Sequence, residues 1–164
     1  MAMLDYVLTA YRFNVFYVKK ALEDIADEQM AIQPSPGMNH PAWIVGHLAM
    51  ERIFLAPLLK IDHPSPAGWK ELFMPLTTPT ADRAKYPPKA ELLAAFEESH
   101  AIVENAFLKM TDADFEAAIT EPFIAKMFPK VGDFIFMMLT VHASMHVGQL
   151  SAWRRAMGYK PVLT

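Results

Sequence analysis

Two imidazoles four residues apart stand in the stretch Val141-His142-Ala143-Ser144-Met145-His146-Val147-Gly148-Gln149-Leu150, an apolar run with helical spacing. Side chains at i and i+4 lie one above the other on a helix. His142 and His146 can therefore converge on one point, and Ile135, Met138, Gln149 and Trp153 share their stripe, which turns that point toward the interior of a bundle. A third imidazole, His47 in Trp43-Ile44-Val45-Gly46-His47-Leu48, sits on another predicted helix. Packed side by side, the two helices would gather three neutral imidazoles around one divalent ion. The plainer reading is that each ring meets a carboxylate or carbonyl across the core, since burying a polar ring without a partner is costly. Taken alone, His47 reads as a core residue. Glu51, one turn from His47, could hydrogen-bond that ring, serve as a fourth ligand or point to solvent.

Other site chemistries fail on residue type. Ala143 stands where a zincin-type H-E-x-x-H carries its glutamate, so a helix-borne protease base is missing. Glu97-Glu98-Ser99-His100 holds one E-x-x-H, but a di-iron carboxylate bundle needs a second on another helix. His100 reads as a core histidine, or as a group supporting the site, before it reads as a ligand. His40 and His63 flank a helix start and a loop and are expected to be solvated. There is no G-x-S-x-G, P-loop or dinucleotide fingerprint. The chain has no cysteine, which excludes disulfides, thiolate zinc sites and a nucleophilic thiol of its own.

The elements that must position these residues follow from apolar periodicity. Leu4, Leu8, Tyr11, Val15, Val18, Leu22 and Ile25 recur in steps of four and three and predict a helix from Leu4 to about Glu28, ended before Gln33-Pro34-Ser35-Pro36-Gly37. Its other faces carry Phe13, Phe16 and Tyr17, more apolar surface than one seam needs. A second helix is predicted from an Asn39 cap to about Leu59, with Pro57 kinking or ending it. Residues Ile61 to Pro88 hold six prolines and read as a long connection. Such a connection suits a crossover between parallel second and third helices.

The third helix is predicted from Pro88 or Lys89 through Met110, with Leu93, Phe96, His100, Val103 and Phe107 on its seam. Thr111-Asp112-Ala113-Asp114 starts a short helix through Ala118, and Thr120 to Lys130 reads as a looser segment. The fourth helix is predicted from Gly132-Asp133 to Gly158. Four helices and no strand emerge, an all-α four-helix bundle in one domain over residues 1–164. At 164 residues, such a chain buries about two thirds of its extended surface.

A net charge of −3, with no basic cluster longer than Arg154-Arg155, argues against nucleic acid as a partner. The longest apolar stretch, Phe134 to Val141, is too short to cross a bilayer, and no basic lead-in precedes the first apolar residues. The expected setting is the cytoplasm, without membrane contact. Twelve methionines fit a well-filled helical core, or a homo-oligomer sharing one helix face.

Asn39-His40-Pro41-Ala42-Trp43-Ile44-Val45-Gly46-His47-Leu48, followed much later by His142-Ala143-Ser144-Met145-His146-Val147-Gly148-Gln149-Leu150, resembles the DinB/YfiT-like superfamily. The likeness spans essentially the whole chain. It implies a four-helix bundle with the crossover between parallel helices two and three, often dimeric, and it implies His47, His142 and His146 as ligands of nickel, zinc or a similar divalent ion. Gly148 and Gln149 match the usual continuation of the fourth helix; Gln149 and Glu51 are candidates to support the ligand rings. Some relatives use the ion to activate a low-molecular-weight thiol for transfer onto an electrophile, and others have been taken for hydrolases.

Three imidazoles leave at least one coordination position open, the property that separates catalytic from structural sites. Water bound there would be acidified and become a nucleophile; a thiol would be held as thiolate, and without cysteine it must come from outside. The expectation is a metal-dependent enzyme acting on a small molecule, either a thiol transferase or a hydrolase, working as a homodimer. The alternatives are a non-catalytic bundle with a structural or sensory metal site, and a small-molecule or lipid binder whose pocket is lined by histidines.

Overall fold

The computed structural model describes residues 2–163, and among them four long helices form the bundle: α1 (Ala2–Leu22), α2 (Pro41–Phe54), α4 (Lys89–Phe107) and α7 (Val131–Ala156). Three short helices fill the connections: α3 (Trp69–Phe73), α5 (Asp112–Glu116) and α6 (Pro122–Met127). There is no strand among the described residues; an isolated bridge pairs Ala118 with Lys130.

Side-chain pairs fix the direction of each long helix. His40 stands edge-on to Tyr86 at 4.6 Å and Arg52 lies 4.9 Å from the Phe96 ring, so α2 and α4 run parallel. Arg12 pairs with Glu104 and Lys19 with Glu97, which sets α1 antiparallel to α4. Asn39 meets Gln149 while His47 meets His142, so α2 and α7 are antiparallel. The chain must therefore travel the length of the bundle between α2 and α4, and residues 55–88 make that crossover.

Several predicted boundaries move, each for a local reason. α1 ends at Leu22 rather than near Glu28, because side chains from elsewhere take its last carbonyls: Arg154 donates to Ala21 O and Lys89 to Leu22 O. α2 is capped by His40, not Asn39, and ends at Phe54 rather than Leu59. Pro57 clashes with the carbonyl four residues back and offers no N–H. The crossover is not bare loop: α3 packs on α2, with the Phe73 ring seated where a side chain on Gly46 would be, only 2.4 Å from a Cβ built there. The segment Thr120 to Lys130 also contains a helix, α6, capped by Glu121 and opened by Pro122.

His40 is fully buried instead of solvated: Nδ1 accepts from Trp43 N and Nε2 donates to the Thr80 carbonyl at 3.0 Å. His63 is half-buried. Leu92, not Leu93, is the buried residue at the start of the α4 seam. The excess apolar surface of α1 stays exposed at Tyr6, Phe13 and Phe16.

α7 covers nearly the predicted span, Val131–Ala156 against Gly132 to Gly158. Against the expectation from Phe134 to Val141, the whole helix is by length and composition long and apolar enough to cross a membrane, and 44% of its most apolar 18 residues are buried within the fold. It is α-helical over Val131–Phe136, π-helical over Met137–His142 and α-helical again over Ala143–Ala156. Thr140 turns its hydroxyl back onto the Phe136 carbonyl at 2.7 Å, a bond that competes with the helix ladder and loosens it there.

The apolar core divides into two clusters with a polar layer between them. Tyr11, Leu55, Val103 and Leu139 belong to one cluster, and Val18, Met50, Phe96 and Ala143 to the other. Each long helix places buried polar groups between these marks: Asn14 on α1, Glu51 and Arg52 on α2, Ser99 and His100 on α4, Thr140 on α7. Within that layer Arg52 donates to the Tyr11 hydroxyl at 2.9 Å, and His100 stacks on Tyr11 with ring centroids 3.8 Å apart.

Candidate metal centre

His142 stands on α7 at the end of the π turn and His146 one turn later, both facing α2. His47 faces them from α2. The structure brings the three together: His142 Nε2 lies 2.8 Å from His146 Nε2 and 3.4 Å from His47 Nε2, and all three ligand atoms fall within 4.8 Å of one another. Nitrogens bound to one tetrahedral zinc at about 2.0–2.1 Å stand about 3.3 Å apart, so this spacing fits a shared ion.

What each ring does with its other nitrogen decides which tautomer it takes. His47 donates from Nδ1 to the Phe73 carbonyl at 2.6 Å. His146 donates from Nδ1 to Gln149 Oε1 at 3.0 Å, and the same oxygen accepts from Asn39 Nδ2 at 2.9 Å, which orients the amide. With those protons on Nδ1, the Nε2 atoms of His47 and His146 carry bare lone pairs. A proton on His142 Nε2 can satisfy one of these lone pairs, whereas a cation at the point of convergence satisfies all three nitrogens, and this is the observation that fits the group to a metal ion. His142 Nδ1 faces Met138 Sδ at 3.3 Å and Glu51 Oε1 at 4.0 Å. Gln149 and Glu51 thus both lie beside ligand rings, on the sides away from the point of convergence.

Burial keeps the rings uncharged. His142 is pushed down to about 4, first by burial and then by His47 and Arg52. His146 falls to about 3 through burial, His47 and His142. Burial also lowers His47, against the Phe73 hydrogen bond that raises it. Neutral imidazole is the form that binds metals. Burial raises Glu51 to about 8, opposed by Arg52, and its Oε2 has no hydrogen-bond partner. Trp43 stacks on His47 at 4.6 Å and 8° between planes, anchored by its Nε1–H to Thr77 at 2.9 Å.

His100 lies apart from this group, stacked on Tyr11 with Glu104 at 3.5 Å. Sequence reasoning missed the Phe73 carbonyl, because a backbone acceptor leaves no mark in residue type. It also missed the cavity of about 540 Å³ that opens onto His47, His142 and Glu51 between α2, α6 and α7.

Bundle and site together define a helical protein with a three-histidine group able to hold a metal ion. The family model of the DinB superfamily matches residues 17–150, and the chain belongs to that superfamily. No match was found among curated proteins.

Proposed function

We propose that the chain is a metal-dependent enzyme that binds a divalent ion, nickel or zinc, through Nε2 of His47, His142 and His146, and acts on a small molecule held in the adjoining cavity. The observation that carries this reading is the convergence of the three Nε2 atoms beside a cavity of about 540 Å³. When bound, such an ion acidifies a water or external thiol and polarises a substrate oxygen.

The chain's own residues do the rest. The Phe73 carbonyl and Gln149 hold the rings of His47 and His146 with Nε2 inward, Trp43 fixes the plane of His47, and phenylalanines and methionines give the adjoining cavity apolar walls. Glu51, 5% exposed with a free Oε2 in the cavity wall, is placed to exchange a hydrogen bond with a bound molecule.

Elemental analysis of protein purified without a histidine tag tests the site: about one divalent ion per chain is expected, and none in His142→Ala with the fold retained. Incubation of the loaded protein with an electrophile, with and without a bacterial thiol, separates transferase from hydrolase; turnover without thiol excludes transfer. A non-catalytic small-molecule binder is the second reading, favoured by the largely apolar cavity, and it is preferred if untagged protein carries no metal. The exposed Tyr6, Phe13 and Phe16 support a homodimer, which sedimentation of the purified chain tests.

A further inference from the structure

The cavity beside the histidines has walls of nearly one chemical kind. Phe54, Met74, Phe128, Phe134, Met137 and Met138 line it, and among the described residues it has no lysine or arginine. Its volume, about 540 Å³, lies in the range that encloses a drug-sized molecule. Besides the two imidazoles, the polar groups in its lining are the carboxyls of Glu51 and Glu121. Glu121 is exposed and already accepts the Ile124 N–H at the start of α6 at 2.6 Å. Glu51 is buried, with Oε2 unpartnered.

Away from an ion held at the histidine end, a carboxylate, phosphate or sulfonate on a ligand would meet no cation here. It would lose its hydration against apolar walls with two carboxyl groups nearby, and buried charges are tolerated only when paired. An uncharged ring or alkyl group faces no such cost and gains the burial of its apolar surface. The entrance carries the same signal. Phe123 is 74% exposed and Met127 60%, both on α6 and both in the cavity lining, so the lip itself is apolar. α6 is held in place from both sides: Ile119 N donates to Pro129 O at 3.0 Å and Val131 N to Ala117 O at 2.9 Å, closing the loop that carries it.

We infer that this cavity takes a neutral, predominantly apolar small molecule, with its polar end toward Glu51 and the histidines and its apolar body against α6 and the first half of α7. The inference rests on the proposed function in taking the cavity as the substrate side of the metal centre. It extends that reading by excluding a charge on the part of the substrate that lies away from the ion, and by making Phe123 and Met127 of the lip determinants of ligand choice.

N-phenyl-1-naphthylamine and 1-anilinonaphthalene-8-sulfonate share one ring framework and differ by a sulfonate, so fluorescence titration of both into the full chain reads the charge preference directly. The neutral probe is expected to bind once per chain and at least tenfold more tightly than the sulfonate. Phe123→Ala is expected to weaken the neutral probe severalfold, and Met127→Lys to weaken it while narrowing the gap to the sulfonate. Both side chains are exposed, so these variants test the lip without disturbing the core. Equal or tighter binding of the sulfonate, or neutral-probe binding indifferent to both substitutions, overturns the inference. Metal loading is measured on the same samples. Loaded protein without charge preference sinks the ligand class and leaves the metal enzyme standing. Protein that takes up no metal yet keeps the preference sinks the metal enzyme and leaves the ligand class.

Discussion

The ring of His47 on α2 is held by the carbonyl of Phe73, 2.6 Å away on a short helix in the crossover. Phe73 in turn reaches α2 only because Gly46 has no side chain: a Cβ there would fall 2.4 Å from the Phe73 ring. One glycine thus sets both the packing of α3 and the direction of the His47 ring. Gly46→Ala is expected to push Phe73 outward, destabilise the fold by about 1–3 kcal/mol as overpacked cores do, and weaken metal binding. Urea unfolding and metal titration of the same variant measure the two effects; unchanged metal affinity in a destabilised protein would separate them.

Gln149 links His146 to Asn39 through one oxygen. Gln149→Leu removes the acceptor that keeps the His146 proton on Nδ1, and a loss of about 10–100-fold in metal affinity is expected. Gln149→Glu retains an oxygen acceptor and should retain most of the affinity. Competition with a chromophoric chelator gives both values, and equal affinities for the Leu variant and the parent protein would rule the role out.

His40 and His100, which lie outside the three-histidine group, should add to the acid sensitivity of the fold. Burial lowers His40 to about 4 and His100 to about 3, in the latter case with help from Arg52 and Arg12. Unfolded, each ring returns to 6.5. The unfolded chain therefore binds more protons below that value, so stability is full above it and falls as the pH drops toward the folded values. At pH 5 each ring costs about 2 kcal/mol relative to neutral pH. Denaturation midpoints at pH 7 and pH 5 check this, and His100→Gln should flatten the dependence.

Arg154 closes the end of α1, donating to Ala21 O and to the Asp24 carboxylate, and its second nitrogen reaches Lys160 O at 2.9 Å. Its side chain is only 5% exposed. Arg154→Ala should cost about 2–4 kcal/mol, since hydrogen bonds from a buried charge are lost together. Amide exchange at residues 19–25 should accelerate before the rest of the bundle.

Much of this was legible in the string. The steps of four and three marked the long helices, and the prolines of residues 61–88 marked the crossover. The His47, His142 and His146 pattern marked the three rings that converge. The rest depended on groups that sequence neighbours do not supply. α1 stops where Arg154 and Lys89 arrive from more than sixty residues away. His40 is buried because Thr80 and Tyr86 close over it. α3 and α6 are too short to show a period, though the first carries the acceptor for His47 and the second the lip of the cavity. Glu51 offered three roles on spacing alone, and its burial with an unpartnered Oε2 excludes solvent exposure.

The π-helical turn at Met137–His142 joins two jobs on one rod. Phe134, Met137 and Met138, up to and within it, wall the cavity, while His146 and Gln149 beyond it belong to the three-histidine group and its hydrogen bonds. Each residue of an α-helix advances the azimuth by about 100°. Excising one residue from the turn would therefore rotate wall against ligands by most of a right angle or more, with every side chain still present. The phase between the cavity wall and the histidine group is thus stored in the length of six residues rather than in any one of them.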